Sequence, residues 1–178
     1  YHDSICIDSC DGDFEFKPTG IFRLGDDVQQ SFDVLILATK VLPSIDMVHL
    51  IQPYMNEDTV LLMIQNGLFI EEDLARVFSQ PILRGLAFIC SQRVSKNHIR
   101  HIDYGLLTIG QISGDFENEH LFAFKELLTQ VSFKAKFVDD IQYAIWEKLI
   151  WNAPFNPLSV VHGCCTTKDL LDQPEICA

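Results

Sequence analysis

The chain has 178 residues, of which 48% are hydrophobic, and it carries a formal net charge of −12. A chain of this length and apolar content can bury a sizeable core, which excludes a disordered protein. The negative charge argues against a nucleic-acid partner, because proteins that bind the phosphate backbone present a basic face.

The length of the apolar runs and the spacing of the cysteines indicate the cellular compartment. No apolar run approaches the roughly 18 residues that a membrane-spanning helix needs, so we expect no membrane partner. The six cysteines lack the spacing of a disulfide framework, which is typical of reduced thiols. We therefore expect a cytoplasmic protein.

The N-terminal part of the chain predicts a small β-hairpin. Apolar and polar residues alternate in Ile5–Ile7 and Phe14–Phe16, on either side of Asp11-Gly12, a dipeptide typical of tight hairpin turns. No chemistry is evident in this ribbon.

The next segment predicts a β-α-β-α unit of a parallel sheet. Phe32–Ala38 is a continuous apolar run, as expected for a strand buried on both faces. A helix, a second buried strand and a second helix are expected at Val41–Ile51, Thr59–Ile64 and Ile70–Phe78. Thr39-Lys40 and Gln65-Asn66-Gly67 then follow the carboxyl ends of the two strands, where open α/β sheets bind ligands. By themselves, a solvated lysine and an ordinary Asn-Gly turn are the better explanation of these residues.

The second half of the chain predicts further strands and then helices. A third strand is expected at Ile82–Cys90 and a later pair at Ile99–Ile102 and Leu106–Gly110, turning near Tyr104-Gly105. Gly114-Asp115 predicts a domain boundary that separates residues 1–113 from 114–178. A helix at Glu117–Thr129, an extended segment at Lys134–Val138 and a helix capped near Thr166 are expected beyond it.

A largely apolar helix with one polar line is expected after Asp139-Asp140, which can cap its N-terminus. Lys148, Asn152 and Asn156 are four residues apart and therefore share one helical face. Such an apolar helix is normally buried, and we expect a kink or break where two prolines, Pro154 and Pro157, interrupt it.

Three groups of possible metal ligands have an ordinary structural explanation, and we predict no metal site. His98 and His101 would point to opposite faces of a strand. Cys6, Cys10 and Asp8 lie in the predicted hairpin. His162, Cys164 and Cys165 follow the end of a predicted helix.

The segment IWEKLIWNAPFNPLSVVHG, residues 145–163, resembles the signature helix of ketopantoate reductases (2-dehydropantoate 2-reductases). These enzymes reduce a 2-keto acid with NADPH in the route to pantothenate. FDVLILATK, LLMIQNGL and IRHIDYGLLTIG resemble three further family motifs, in the same order. The family's glycine-rich strand-turn-helix and most of its C-terminal helical domain are absent. The resemblance thus implies an α/β fold, a partial Rossmann-like NADP-binding domain followed by the start of an all-α C-terminal domain, which we expect to be inactive alone.

The resemblance also implies residue roles. Hydride transfer to a ketone leaves negative charge on the carbonyl oxygen, and a lysine in a dry pocket can stabilise and protonate it. The matching residue is Lys148, the implied general acid. The implied substrate contacts are Asn66, Asn152, Asn156 and Thr166, the last where some members carry an asparagine, and the implied cofactor contacts are Lys40, Asn66 and Cys90.

Three interpretations remain. The first is a reductase of ketopantoate or of another branched 2-keto acid. The second is an inactive or divergent paralogue that serves as a binding or interaction module. The third is a subunit-interface role for the apolar helix, as in a homodimer. We prefer the first, because a protein without catalysis has no need for polar groups in an oily helix.

Overall fold

The computed structural model describes residues 4–23, 26, 28, 30–131 and 133–173, which form two compact units, Tyr1–Asp139 and Asp140–Ala178. Among these residues, the first unit contains one seven-stranded sheet. Its strands are β1 (Ile5–Ser9), β2 (Phe14–Phe16), β3 (Val34–Leu37), β4 (Val60–Met63), β5 (Ile82–Ser95), β6 (His98–Ser113) and β7 (Ala135–Phe137). The sheet order is β2-β1-β6-β5-β4-β3, and β7 pairs with β6.

Strand β4 occupies the centre of the parallel part of the sheet. It pairs in parallel with β3 on one side and with β5 on the other, and all four of its residues are buried. The predicted hairpin is confirmed, since β1 and β2 pair antiparallel. The α/β fold class predicted from the sequence is also confirmed.

Strand β3 is less buried than predicted. Of its four residues only Leu37 is buried, and Ile36 is 52% exposed. The expectation of burial on both faces is therefore wrong for the described residues. Strand β3 is also the last strand of their sheet, with a neighbouring strand along one edge alone.

The residues Tyr104-Gly105 form an irregularity within one strand and not the predicted turn. Strand β6 runs unbroken from His98 to Ser113 and pairs antiparallel with β5. Phe88 pairs with Leu106 and Ile89 with Tyr104, so Gly105 is an extra residue in the ladder. Both Tyr104 and Gly105 have positive φ angles, of 65° and 115°. This is a β-bulge, whose turn-like residues imitate the sequence pattern of a hairpin.

The first helix is much shorter than the predicted Val41–Ile51. Helix α1 covers Met47–Ile51, and a 3₁₀ turn follows at Gln52–Tyr54. The Asp46 side chain accepts a hydrogen bond from the backbone N–H of His49 and thus caps the helix late. The proline at position 43 disfavours helical backbone at the residue before it. Helices α2 (Glu72–Val77) and α3 (Glu119–Gln130) lie close to their predicted positions.

The second unit consists, in its described part, of α4 (Ile141–Val161) and α5 (Thr167–Leu171). Asp140 caps α4 as predicted, accepting a hydrogen bond of 2.9 Å from the N–H of Tyr143. The sequence predicts a kink or a break at the prolines. The helix passes through both of them, so there is no break, because two lost hydrogen bonds do not end a helix of 21 residues. No helix in the described ranges is both long and apolar enough to cross a membrane.

Helix α4 is also less buried than predicted. Ile141 and Ile145 are its buried residues, whereas Ile150 is 76% exposed and Trp151 is half exposed. The reason is that the described part of this unit contains one further helix, α5, of five residues, which covers little of a helix four times as long.

The first compact unit continues past residue 113, where the sequence predicts a division between domains, and that division stays a prediction. Strand β7 pairs in parallel with β6 over Leu107–Ile109, and Leu121 and Phe124 of α3 belong to the core packed on the sheet. Both elements therefore belong to the first unit, which extends to Asp139.

Gly114→Ala should destabilise the first unit far more than Gly12→Ala does. Both glycines have positive φ angles, 89° and 118°, so alanine strains the backbone at either position. At Gly114 a Cβ atom would also lie 2.5 Å from the backbone oxygen of Gln80, whereas nothing lies within 4 Å at Gly12. Urea unfolding should show a loss of about 1 kcal/mol at Gly12 and of at least about twice that at Gly114. Equal losses would show that this backbone contact is not tight.

Candidate active site

The structure brings Lys40 and Asn66 to one edge of the sheet. Leu37 of β3 pairs with Met63 of β4, and Lys40 and Asn66 each follow these last strand residues by three positions. Both side chains are exposed. Because the strands are parallel, both loops leave the carboxyl edge of the sheet, where ligands bind in open α/β folds.

The two loops are joined by a residue that the sequence analysis did not single out. The side chain of Gln65 is 4% exposed, and its Nε2 donates to the backbone oxygen of Thr39 at 2.8 Å and to its Oγ1 at 3.1 Å. The loop that carries Lys40 is thus held against the turn that carries Asn66. The signal in the sequence was a polar residue directly after a fully apolar strand.

A buried ion pair lies beneath the same turn. Arg84 of β5 is fully buried, and its Nη1 donates to Oε2 of Glu71 at 2.6 Å. Its Nη2 donates to the backbone oxygens of Gln65 and Gly67 at 3.2 and 3.1 Å. Burial lowers the pKa of Arg84, and the nearby Glu71 carboxylate opposes that shift. An arginine pKa is so high that the guanidinium remains charged.

Sequence reasoning missed this pair as well. An arginine in the middle of the apolar segment PILRGLAF was the available signal, because charged residues are almost never fully buried unless paired. Its partner lies 13 residues away in the chain, beyond the reach of any local pattern.

Cys90 lies farther along β5. The pairing of β5 with β4 ends at Arg84, and β5 then continues beyond the carboxyl end of β4, paired with β6. Cys90 pairs with Asp103 in this extension and is exposed. Cys90 therefore lies toward the same end of the parallel strands as the loops of Lys40 and Asn66. Its predicted contact with the cofactor remains a prediction.

The second unit holds the predicted acid and substrate residues on α4. Lys148 and Asn152 are half-buried and Asn156 is exposed, and their spacing of four places them on one helical face. The rings of Trp151 and Phe155 pack at a centroid distance of 4.5 Å beside this face. The sequence thus placed the polar line correctly on a continuous helix.

Thr166 has a clear structural role as the N-cap of α5. Its Oγ1 accepts a hydrogen bond from the Asp169 N–H at 3.2 Å, and its own N–H donates to the Asp169 carboxylate at 2.8 Å. These two bonds form a capping box. The Thr166 hydroxyl also donates to the Asp169 carboxylate at 2.6 Å, and this bond, followed by the one from the Thr166 N–H, lowers the pKa of Asp169. The predicted substrate contact of Thr166 remains a prediction.

One group of possible metal ligands comes together in the described residues: Cys10, Asp11 and His101. The Asp11 carboxylate accepts two hydrogen bonds of 2.9 Å from Lys134 Nζ, which lower its pKa. His101 Nδ1 lies 2.9 Å from the Ser9 hydroxyl. Because the carboxylate and the imidazole already have protein partners, we assign no metal to this cluster.

The carboxyl edge of the first unit fits part of a dinucleotide site. It offers an exposed cation, Lys40, and an exposed amide, Asn66, on adjacent loops. Gly67 has a φ angle of 138°, a backbone conformation that favours glycine, and it leaves the turn without a side chain next to Asn66. The described residues do not include a glycine-rich loop at a helix N-terminus, which is the usual cradle for a pyrophosphate.

Comparison with known proteins agrees with this arrangement. A 2-dehydropantoate 2-reductase from a Nostoc species is 31% identical over 180 residues, which cover 96% of this chain and 54% of that protein. The crystal structure of 2-dehydropantoate 2-reductase from Methylococcus capsulatus is 32% identical, with a TM-score of 0.79 over 96% of this chain and 56% of that one. D-Mandelate dehydrogenase, solved with NADH and anilino(oxo)acetate, shares the fold at 21% identity and a TM-score of 0.72, over 87% of this chain and 50% of that one.

The chain spans about half the length of the relatives it matches. Two family models cover most of it. The model for ketopantoate reductase PanE/ApbA matches residues 2–114, and the model for the C-terminal part of the same family matches residues 140–178. The chain therefore belongs to the ketopantoate reductase PanE/ApbA family.

Proposed function

We propose that this chain is part of an NADPH-dependent reductase that converts ketopantoate to pantoate, in the synthesis of pantothenate. Membership of the family supports the reaction. The observation that carries the proposal is the polar line of Lys148, Asn152 and Asn156 on a helix whose other exposed residues are largely apolar. Polar groups are costly to bury in a largely apolar helix, which favours a chemical role.

Lys148 is the proposed general acid. A reduced nicotinamide, when bound, supplies the hydride that reduces the ketone carbon. The carbonyl oxygen gains negative charge as this happens, and the Lys148 ammonium donates a hydrogen bond and then its proton to that oxygen, giving the alcohol. The residue is half-buried, so water screens its charge less than on an open surface.

The asparagines are the proposed substrate contacts. A 2-keto acid has a carboxylate and, in ketopantoate, a hydroxyl group, and a carboxamide can donate to the first and accept from the second. Asn152 and Asn156 share the α4 face of Lys148 and are neutral, so they can orient the substrate without adding charge there. Asn66 on the first unit is a further proposed contact, also neutral. Thr166 has the same proposed role, and its hydroxyl also accepts the hydrogen bond that caps α5.

The first unit supplies the proposed cofactor contacts. Lys40 is the positive group for a phosphate or the ribose, Asn66 faces the nicotinamide, and Cys90 contributes its backbone. The fold also accommodates NADH in D-mandelate dehydrogenase. The preference for NADPH is therefore a separate proposal that needs its own measurement.

We also propose a cytoplasmic homodimer. The described cysteines are all free thiols, as expected in a reducing compartment. Ile150, Val160 and Val161 on α4 are each more than two-thirds exposed, and an apolar surface of this kind favours association.

Lys148→Ala in the full-length protein should lower kcat for ketopantoate reduction at least about a hundredfold, as expected when a general acid is removed. The assay follows NADPH oxidation at 340 nm. Lys168→Ala is the matched control, because Lys168 is an exposed lysine of the same unit. A Lys148→Ala enzyme as active as this control would refute the proposed acid, and a parent enzyme inactive toward ketopantoate would refute the proposed substrate.

Lys40→Ala should raise the Kd for NADPH about tenfold, since one charge-assisted contact is lost. Fluorescence titration measures the Kd for NADPH and for NADH, which also tests the cofactor preference. Lys17, an exposed lysine just after β2, is the control position for Lys17→Ala. An unchanged Kd in the Lys40 variant would show that this lysine is merely solvated, and tighter binding of NADH than of NADPH would overturn the assigned cofactor.

A further inference from the structure

The turn at Gln65–Gly67 has a backbone conformation that needs support. Gly67 has a φ angle of 138°, and Phe69, two residues later, has a φ angle of 57°, which is uncommon for a residue with a side chain. Uncommon backbone conformations persist only where surrounding contacts hold them, and they cluster at functional sites. Asn66 lies within this turn.

Arg84 holds the turn from below. Its Nη2 donates to the backbone oxygens of Gln65 and Gly67, the residues on either side of Asn66, at 3.2 and 3.1 Å. Arg84 itself cannot shift easily, because it lies in β5 between two strands and pairs with Met63 of β4 and Gly110 of β6. The arginine therefore connects a firmly held strand to an exposed turn.

Glu71 orients the guanidinium. Its carboxylate is 2.6 Å from Nη1, and both side chains are almost fully buried. Glu71 directly precedes α2, yet its side chain makes no cap hydrogen bond to that helix. The carboxylate is thus directed toward the arginine and does not cap the helix.

Stability alone does not explain this pair. Removing two charges from water costs about as much as their attraction returns, so apolar residues of similar volume stabilise a protein equally well or better. In addition, the described part of the chain offers the buried Nε of Arg84 no hydrogen-bond partner, which is a further cost. A buried pair of this kind is better explained by the one conformation that it imposes on its neighbours.

We propose that Arg84, oriented by Glu71, is a positioning residue that fixes the Gln65–Gly67 turn and so presents Asn66 to the cofactor and substrate. The effect extends to the neighbouring loop, because the Gln65 side chain donates to Thr39, the residue before Lys40. One buried arginine thus fixes the conformation of both loops at the carboxyl edge. This inference rests on the proposed function for what Asn66 and Lys40 bind, but the clamp on the turn can be measured without nucleotide.

The test compares Arg84→Met with the double variant Glu71→Leu plus Arg84→Met in the full-length protein. Arg84→Met alone removes the charge opposite buried Glu71 and should lower the urea midpoint strongly. The double variant replaces the pair with apolar side chains and should recover the midpoint. It should still bind NADPH at least about tenfold more weakly, and amide hydrogen exchange in residues 64–70 of the nucleotide-free protein should be at least about tenfold faster.

Arg84→Lys provides a second measurement in case the double variant does not fold. Lysine keeps the charge opposite Glu71 but lacks the planar fork that reaches three acceptors in different directions. It should keep most of the urea midpoint and show the same loss of NADPH affinity and of exchange protection. Arg76→Met is the matched control, because Arg76 forms an exposed pair with Glu72 and Asp73 on α2, and it should change neither readout.

The outcomes separate the possibilities. A folded double variant or Arg84→Lys variant that binds NADPH and exchanges like the parent would overturn the proposal, since the pair would then serve only stability. A variant with faster exchange but unchanged NADPH affinity would also overturn it, because loosening the turn would then have no effect on binding. A parent protein that binds no NADPH would refute the proposed function, and the exchange rates of the nucleotide-free variants would still decide whether Arg84 holds the turn.

Discussion

Strand β4 is the constraint on which the described arrangement of the first unit depends. Its four residues, Val60–Met63, are buried and have a parallel neighbour on each side. With both edges occupied and both faces packed, the strand has no freedom to slip, since a shift of one residue would turn every apolar side chain to the wrong face. The register of β3 and β5 follows from it. The loops after β3 and β4 therefore begin at equal heights along one edge of the sheet.

Polar contacts then give this edge its shape. Gln65 joins the two loops through Thr39, and Arg84 supports the turn from the adjacent strand. Apolar packing would keep the strands in place but would leave the loops free to adopt several conformations, because the hydrophobic effect is not directional. Hydrogen bonds from a fixed donor have a preferred direction. Among the described residues, the buried polar side chains of Gln65, Glu71 and Arg84 therefore lie at the carboxyl edge, where a defined loop conformation matters. The fourth buried polar residue of this part of the chain, Thr59, lies at the opposite end of β4 and donates to the backbone oxygen of Phe32.

The second unit depends on a different constraint, the regular spacing of one helix. A period of four residues keeps Lys148, Asn152 and Asn156 on one face of α4 whatever the helix packs against. Asp140 fixes where the helix begins and Gly163, with a φ angle of 82°, where it ends. Local sequence is sufficient for such an element. This explains why the polar line could be located from the sequence although the burial of the helix could not.

The amino-acid sequence by itself determined the features that depend on neighbours in the chain. These are the hairpin around Asp11-Gly12, the apolar run of β4, the caps at Asp140 and Thr166, and the motifs that indicated the family. The tertiary structure alone decided the bulge at Tyr104-Gly105, the exposure of β3, the extent of the first unit to Asp139 and the Arg84–Glu71 pair. Each of these depends on which strands lie side by side. That choice is made by burial summed over the whole chain, so no local pattern contains it.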